Sequence, residues 1–294
     1  MDTAAASNAL IEWYEREARD LPWRSPEATP WAILVSEFML QQTQVERVLP
    51  RWSAWVERWP TPSALAAEEP GEAVQAWDRL GYPRRALWLH RAAVEIAEQH
   101  ADRVPADVEQ LLALTGIGPY TARAVAAFAF GERHPVVDTN TRRVLARLVH
   151  GRAAAGMPSA GDLADMDALL PAAPEAAAVF NAAAMELGAV VCTARAPRCA
   201  ECPVAAWCEW RGAGYPDNAP SKRPRQAKFE GSDRQVRGGI MALLRSAAEP
   251  VSREAALAAA AQGGVRDPEQ PRRAYDSLIA DGLVVEFEGC ARLP

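Results

Sequence analysis

The stretch with the clearest chemical potential runs from Leu114 to Arg143, LTGIGPYTARAVAAFAFGERHPVVDTNTRR. Gly116-Ile117-Gly118 joins two segments of helical pattern. Two glycines two apart, just before a helix, let the backbone come close to a ligand and aim free N–H groups at it. An anion held there meets the positive end of the helix dipole. We read that anion as a nucleic-acid phosphate. A helix of small residues follows, and the apolar approach Val136-Val137 ends on Asp138, placed for chemistry on the nucleotide beside the turn. An Asp ahead of Thr139-Asn140-Thr141 also reads as the N-cap of the next helix.

A second group is Cys192-x6-Cys199-x2-Cys202-x5-Cys208, four of the five cysteines, with Cys290 far away. So tight a set reads as a metal site rather than as disulfides. Zinc sites usually join two Cys-x2-Cys knuckles across a longer insert. One knuckle with wider flanks suits a 4Fe–4S cubane better, with zinc as the alternative. Such a centre can simply pin a loop that lacks a core of its own, and redox activity does not follow from ligand spacing. Arg195, Arg198 and Arg211 around it offer phosphate contacts.

Helices must carry these groups. Apolar residues at helical spacing run over 8–19 and stop at Asp20-Leu21-Pro22-Trp23. The pattern resumes over 31–48, interrupted by the polar patch Gln41-Gln42-Thr43-Gln44. Further helical segments fall at 62–67, 71–79, 83–100, 108–114, 141–149, 161–170 and 174–190, separated by turn residues or prolines. No strand pattern appears before the last twenty residues, so the body is expected to be all-α. Residues 211–233 are rich in Pro and Gly and carry Lys222, Arg223, Arg225 and Lys228, which reads as a basic linker. Residues 234–294 read as a separate module of three helices and a terminal hairpin, a winged-helix-like arrangement. Its third helix carries Arg272 and Arg273 but also Asp276 and Asp281, which favours a packing or partner role.

The 294 residues suffice for a sizeable core and two or three units. The formal net charge of -6 gives no general support for nucleic-acid binding, but the positive charge is uneven and local clusters matter more than the total. Lys222 and Lys228 are the only lysines. No apolar run is long enough to span a membrane and the N-terminus lacks a signal-peptide pattern, so a cytoplasmic location is expected.

With the glycine turn, Asp138 and the four-cysteine loop in place, the chain resembles the helix-hairpin-helix DNA glycosylase superfamily, whose endonuclease III and MutY branches carry such a loop. The segment Val35-Ser36-Glu37-Phe38-Met39-Leu40-Gln41-Gln42-Thr43-Gln44-Val45 is similar to the signature of MutY-type adenine DNA glycosylases. Leu21-Pro22-Trp23-Arg24, Leu80-Gly81-Tyr82 and Met185-Glu186-Leu187-Gly188 match the same family in the same order, over about residues 8–210. The resemblance implies an all-α, two-lobed fold over 1–210. A six-helix lobe would take about 31–138, and 1–30 with 139–210 would form the cluster lobe, its 4Fe–4S centre held by Cys192, Cys199, Cys202 and Cys208. It also implies a monomeric, nucleoid-associated enzyme acting on double-stranded DNA that contains an A:8-oxoguanine or A:G mispair.

The chemistry that this implies can be argued from residue types. Breaking an N-glycosidic bond to adenine needs a proton on the leaving base and help for a cationic sugar. Glu37 lies among Val35, Phe38, Met39 and Leu40, where burial would raise its pKa and suit it to give that proton. Asp138, kept ionised, would steady the oxocarbenium ion, the two-carboxylate logic of glycoside hydrolysis. Taken alone, a Glu after Ser in a helix is more often solvated. By the resemblance, Gln41, Gln42 and Tyr82 form a wedge that fills the gap left by a flipped base. Arg24 and Glu186 line the adenine pocket, Asn140 lies close to Asp138, and Gly116, Gly118 and Tyr120 belong to the DNA-gripping hairpin. Arg142, Arg143 and Arg147 read as phosphate contacts or as helix-surface charges.

Lyase-competent members of the superfamily carry a hairpin lysine that attacks the sugar through a Schiff base. Tyr120 stands at that position here, which implies a monofunctional glycosylase. The chain departs from many MutY proteins in its last segment, since 234–294 is too short for their 8-oxoguanine-inspecting domain. Two other readings compete: an endonuclease III-like enzyme acting on oxidised pyrimidines, and a non-catalytic iron–sulfur DNA-binding regulator.

Overall fold

The computed structural model describes residues 2–216 and 229–294, so the basic cluster at Lys222, Arg223, Arg225 and Lys228 lies outside the described residues. The chain is mostly helical. In order, its elements begin with α1 (Thr3–Glu17), α2 (Pro30–Leu40), α3 (Val45–Arg58), α4 (Pro62–Ala66) and α5 (Pro70–Trp77). Next come α6 (Arg84–Gln99), α7 (Val108–Ala113), α8 (Pro119–Phe130), α9 (Thr139–Leu148), α10 (Ala160–Leu169), α11 (Pro174–Val190) and the short α12 (Glu209–Gly212). The last segment holds α13 (Asp233–Ser246), β1 (Val251–Ser252), α14 (Arg253–Ala261), α15 (Gln270–Ala280), β2 (Val285–Phe287) and β3 (Cys290–Arg292).

Local chemistry sets most boundaries. Prolines open α4, α5, α8 and α11, where a missing N–H costs nothing. Asp2, Thr61 and Ser252 cap α1, α4 and α14, each accepting from the backbone N–H three residues on. Ser159 and Asp162 form a capping box at α10. Gly131, at φ 70, closes α8 in the left-handed conformation that glycine adopts without strain. Trp31 to Met39 are all buried, so α2 is covered on every side and its two polar residues there, Ser36 and Glu37, are enclosed with the apolar ones.

The chain divides into two compact units. The first comprises Met1–Glu37, Val104–Ala113 and Ile117–Arg223. Leu10 and Trp13 of α1 pack there on Leu145 and Leu148 of α9, Met166 of α10, and Phe180 and Leu187 of α11. A smaller cluster of Ala124, Ala127 and Val136 backs the loop that leads to Asp138. The second unit comprises Phe38–Arg103, Leu114–Gly116 and Pro224–Pro294. Trp55, Trp59 and Trp77 meet edge to face there, with Trp55 centroids 4.7 Å from Trp59 and 5.7 Å from Trp77. Such pairs add about 0.5–1.5 kcal/mol beyond their burial.

The terminal segment has helix, strand, helix, helix and hairpin in winged-helix order. Its antiparallel sheet is ordered β1-β3-β2, with Ala291 opposite both Val251 and Glu286. The sequence indicated three helices and the hairpin but not β1, because two residues are too few to show alternation. Within the second unit this segment packs against α5 and α6. Arg245 donates to the Val74 carbonyl at 3.2 Å, Arg84 pairs with Asp281 at 3.1 Å, and a Cβ on Gly71 would collide with the Pro294 carbonyl. Arg273 is engaged by Asp267 at 2.8 Å.

Candidate active site

Glu37, near the end of α2, is only 6% exposed. Burial first, and then the charge of Asp138, push its carboxyl up to about 7; a hydrogen bond with Tyr120 and the charge of Arg24 oppose that rise. The Tyr120 hydroxyl is itself raised well above the ordinary phenol range, by burial and by the two carboxylates, and so keeps its proton. A phenol donating to Glu37 favours the ionised carboxylate without preventing protonation at neutral pH.

Asp138 caps α9, its Oδ1 accepting the Thr141 N–H at 2.7 Å, while its Oδ2 accepts from Asn140 Nδ2 at 3.0 Å. The cap reading and a chemical role are therefore compatible. Asn181, fully buried on α11, fixes the approach: its side chain accepts from Val136 N at 2.9 Å and donates to the His134 carbonyl at 3.0 Å. Arg143 binds Asn140 Oδ1 at 2.9 Å, the Gly188 carbonyl at 2.6 Å and the Cys192 carbonyl at 2.8 Å, tying the first turn of α9 to the cysteine loop.

Gly188 has a steric reason to be there. A Cβ at that position would lie 2.8 Å from Asn140 Cβ and 3.0 Å from the Asn140 carbonyl carbon. Gly188→Ala should push the Asp138 turn away from α11 and slow catalysis by about 100-fold, the scale of a misplacement near 1 Å. Single-turnover rates beside a thermal unfolding curve check this; a variant as fast as the parent would show that the contact does not matter.

Glu186 is fully buried and takes four hydrogen bonds: Arg19 Nε at 2.7 Å, Arg19 Nη2 at 3.0 Å, Arg19 N at 3.2 Å and Arg24 Nη2 at 2.9 Å. Burial alone would raise its pKa, but the bonds from Arg19 and the charge of Arg24 outweigh that and hold it below the usual carboxylate range. Arg24 also lies 5.4 Å from the Tyr14 ring centroid. Arg19 and Asn181 escaped the sequence reading, because partners some 167 and 45 positions away leave no periodic signal.

Arg142 and Arg147 do not lie on an open helix surface as phosphate contacts would. Arg142 is 8% exposed and pairs with Asp162 at 2.9 Å; Arg147 is 4% exposed and bonds the carbonyls of Ala153 and Thr193. They brace the fold.

All four loop thiols line one cavity, together with Arg147 and Trp210. Arg147 Nη1 donates to Cys192 Sγ at 3.3 Å and its guanidinium stacks 4.6 Å from the Trp210 centroid. Burial pushes Cys202 up to about 12 and raises Cys208 too, and the neighbouring thiols add to it. Buried thiols like these two become thiolates readily only when a cationic centre balances them. Thiols spaced around a shared cavity suit a polynuclear cluster with an iron at each corner. Arg198 and Arg211 bond carbonyls of their own region, Val190 at 2.8 Å and Ala205 at 3.1 Å.

The hairpin is α7, the Gly116-Ile117-Gly118 turn and α8, with Gly118 as the N-cap of α8. Both glycines are exposed. Gly116 has φ +81, and a Cβ there would meet Trp88 Cβ at 2.7 Å. Gly118 has open space around it, so only its exposed backbone marks it out.

In the second unit, Gln42 and Tyr82 hold left-handed backbones at φ 58 and φ 48, with Gly81 at φ 86 beside Tyr82. For residues other than glycine each such conformation costs on the order of 1 kcal/mol and needs surrounding support. The break after Leu40 thus separates α2 from α3 within the stretch that the apolar pattern spans. Tyr82 is 50% exposed.

A family model described as HhH-GPD superfamily base excision DNA repair protein matches residues 35–158, and one for the iron-sulfur binding domain of endonuclease III matches residues 192–208. A solved thermostable thymine-DNA glycosylase aligns with a TM-score of 0.65 at 24% identity, over 72% of this chain and 97% of that one. A trapped endonuclease III–DNA covalent intermediate aligns at 0.60 and 22% identity, over 74% and 100%. The fold and the cysteine loop are those of a helix-hairpin-helix base-excision glycosylase with a 4Fe–4S centre. An adenine DNA glycosylase of Mycobacterium tuberculosis is 56% identical over 287 residues, 97% of this chain and 92% of that protein. The human adenine DNA glycosylase is 39% identical over 224 residues, 71% of this chain and 40% of that protein. The chain belongs to the adenine DNA glycosylase family. Since the mycobacterial alignment spans 97% of the chain, it takes in the winged-helix segment, which the resemblance over 8–210 had left outside.

Proposed function

We propose that this protein hydrolyses the N-glycosidic bond of adenine mispaired with 8-oxoguanine or guanine in double-stranded DNA, leaving an abasic site. The observation that carries the reading is the buried Glu37 beside Asp138, one carboxyl raised to about 7 and the other tied to Thr141 and Asn140. Glu37, protonated, gives its proton to a ring nitrogen of the flipped adenine, and the C–N bond breaks. Asp138 faces the cationic sugar carbon and steadies it. Glu37, now a carboxylate accepting from Tyr120, draws the proton from a water that adds to that carbon, so proton and charge are restored. Arg24, held in place by the buried Glu186, defines the polar side of the base pocket, and Gln41, Gln42 and Tyr82 fill the vacated stack.

Cys192, Cys199, Cys202 and Cys208 hold the cluster, whose chemistry here is cross-linking: it fixes the loop that Arg143 joins to the Asp138 turn. The turn at the exposed Gly116 and Gly118 takes the DNA backbone. We read the enzyme as a monomer acting at the nucleoid. Among the described residues no helix is long and apolar enough to cross a membrane.

A panel of duplexes with the base opposite adenine varied tests the substrate. Free adenine should appear with 8-oxoguanine or guanine opposite and much less with thymine; release of an oxidised pyrimidine instead would select the endonuclease III-like reading. Because Tyr120 offers no amine, strand breaks should form only after alkali or heat. Prompt nicking by the purified protein, resolved on a denaturing gel before any such treatment, would contradict the monofunctional assignment.

A further inference from the structure

Gln42 and Tyr82 occupy strained backbone conformations in separate turns, and one buried cation touches both turns. Arg85, near the start of α6, is 3% exposed. Its Nη1 donates to the carbonyls of Phe38 at 2.8 Å, Met39 at 3.3 Å and Gln41. These belong to the end of α2 and the residue beyond it, where carbonyls lack helical partners and the dipole favours a cation. Its Nη2 donates to the Gly81 carbonyl and to the Thr43 hydroxyl, both at 3.0 Å. The guanidinium also lies 5.5 Å from the Tyr82 ring centroid and 5.1 Å from that of Trp77. Thr43 Oγ1 adds a second tie, 3.3 Å from the carbonyls of both Gln41 and Leu80.

The partners of Arg85 given by these bonds are carbonyls and a hydroxyl, and its Nε is buried without a partner. The charge is thus held by the dipoles of the two turns. Opening either turn would strip a buried guanidinium of acceptors, which is far costlier than losing a surface hydrogen bond. Burial lowers its pKa to about 10, which leaves it charged at neutral pH. Strained conformations persist where surrounding contacts over-determine them, and Arg85 supplies such contacts to Gln41 on one side and Gly81 on the other.

We infer that Arg85 is a positioning residue that locks the Gln41-Gln42 turn to the Gly81-Tyr82 turn, so that the amide pair and the phenol meet DNA as one preformed wedge. It acts through the two turns and does not touch the substrate. The inference rests on the wedge role proposed above for Gln41, Gln42 and Tyr82. Without the lock, both turns relax to ordinary backbone conformations and must be reordered at each encounter, a cost that appears in base extrusion rather than in backbone binding.

The test uses the full-length protein with Glu37→Gln, which holds the substrate uncleaved, and a duplex with 2-aminopurine in place of the target adenine opposite 8-oxoguanine. Fluorescence reports unstacking of that base, and anisotropy of the same duplex reports binding. Arg85→Met, which keeps the apolar stem, should lower the unstacked population about tenfold while duplex affinity changes little, and Arg85→Lys should recover only part of it. Tyr82→Ala is the control for the underlying reading. If Tyr82→Ala extrudes the base normally, the wedge itself is wrong. If Tyr82→Ala fails but Arg85→Met extrudes normally, the lock alone is wrong. Equal losses of binding and extrusion in Arg85→Met would make Arg85 a general fold residue and overturn the inference. Should Arg85→Met not fold, Thr43→Val carries the test: it should show a smaller loss of extrusion with binding intact, and full extrusion there overturns the lock.

Discussion

Glu37→Gln is expected to lower adenine release by about 10²–10⁴-fold, the usual contribution of a positioned general acid, and also to make the protein more stable above neutral pH. The two effects share one cause. The Glu37 carboxyl rises from 4.5 to about 7 in the fold, chiefly because burial penalises its charge. Between those values the folded state keeps a proton that the unfolded chain has released, so stability falls as pH rises through the window. By linkage the loss amounts to roughly 3 kcal/mol above pH 7. A neutral amide of the same shape carries no such penalty. Denaturant unfolding at pH 5 and pH 8 should therefore show parent and variant close together at the lower pH and the variant ahead at the higher. A variant less stable at both would mean that Glu37 is held as a structural carboxylate.

Asp138→Asn should slow adenine release by about 10²–10³-fold, the scale of removing one electrostatic stabiliser of a charged transition state, with little change in stability. Asparagine caps a helix about as well as aspartate does, so the Thr141 N–H keeps an acceptor and α9 keeps its start. What the substitution removes is the negative charge that the cationic sugar needs, together with the Oδ2 acceptor of Asn140 Nδ2, a single hydrogen bond worth about 1 kcal/mol. Rate and melting temperature measured on the same preparation separate the roles. A stable variant with nearly full activity would reduce Asp138 to a cap, and a variant that loses both together would leave no separate electrostatic contribution.

These two residues also show what could be read from the chain. The apolar company of Glu37 along α2 was visible in order of residues, since nearly every position from Trp31 to Met39 is one that folding buries. The helix boundaries at Pro119, Gly131, Asp138 and Pro174 follow from local rules that act within a few residues. The winged-helix order was legible in its helices and hairpin for the same reason. Contacts between distant segments were not. That Arg142 and Arg147 turn inward depends on the residues that cover α9, Asp162 and Gly156 for one and the cysteine loop for the other. Charge on a helix looks the same in sequence whether water or another segment faces it. Arg19 on Glu186, and Asn181 on the Val136 N–H, are likewise products of tertiary packing. The motif around Gly188 was recognisable, but its reason, the close approach of Asn140, needed the fold.

The pH dependence of kcat/KM for adenine release from an A:8-oxoguanine duplex tests the central claim most directly, because it reports the acid of the free enzyme. If a buried, protonated Glu37 starts the reaction, the rate falls along a limb with an apparent pKa near 7 as pH rises. A rate that stays level or climbs from pH 6 to pH 9, or a preparation that binds the duplex and frees no adenine, would contradict it.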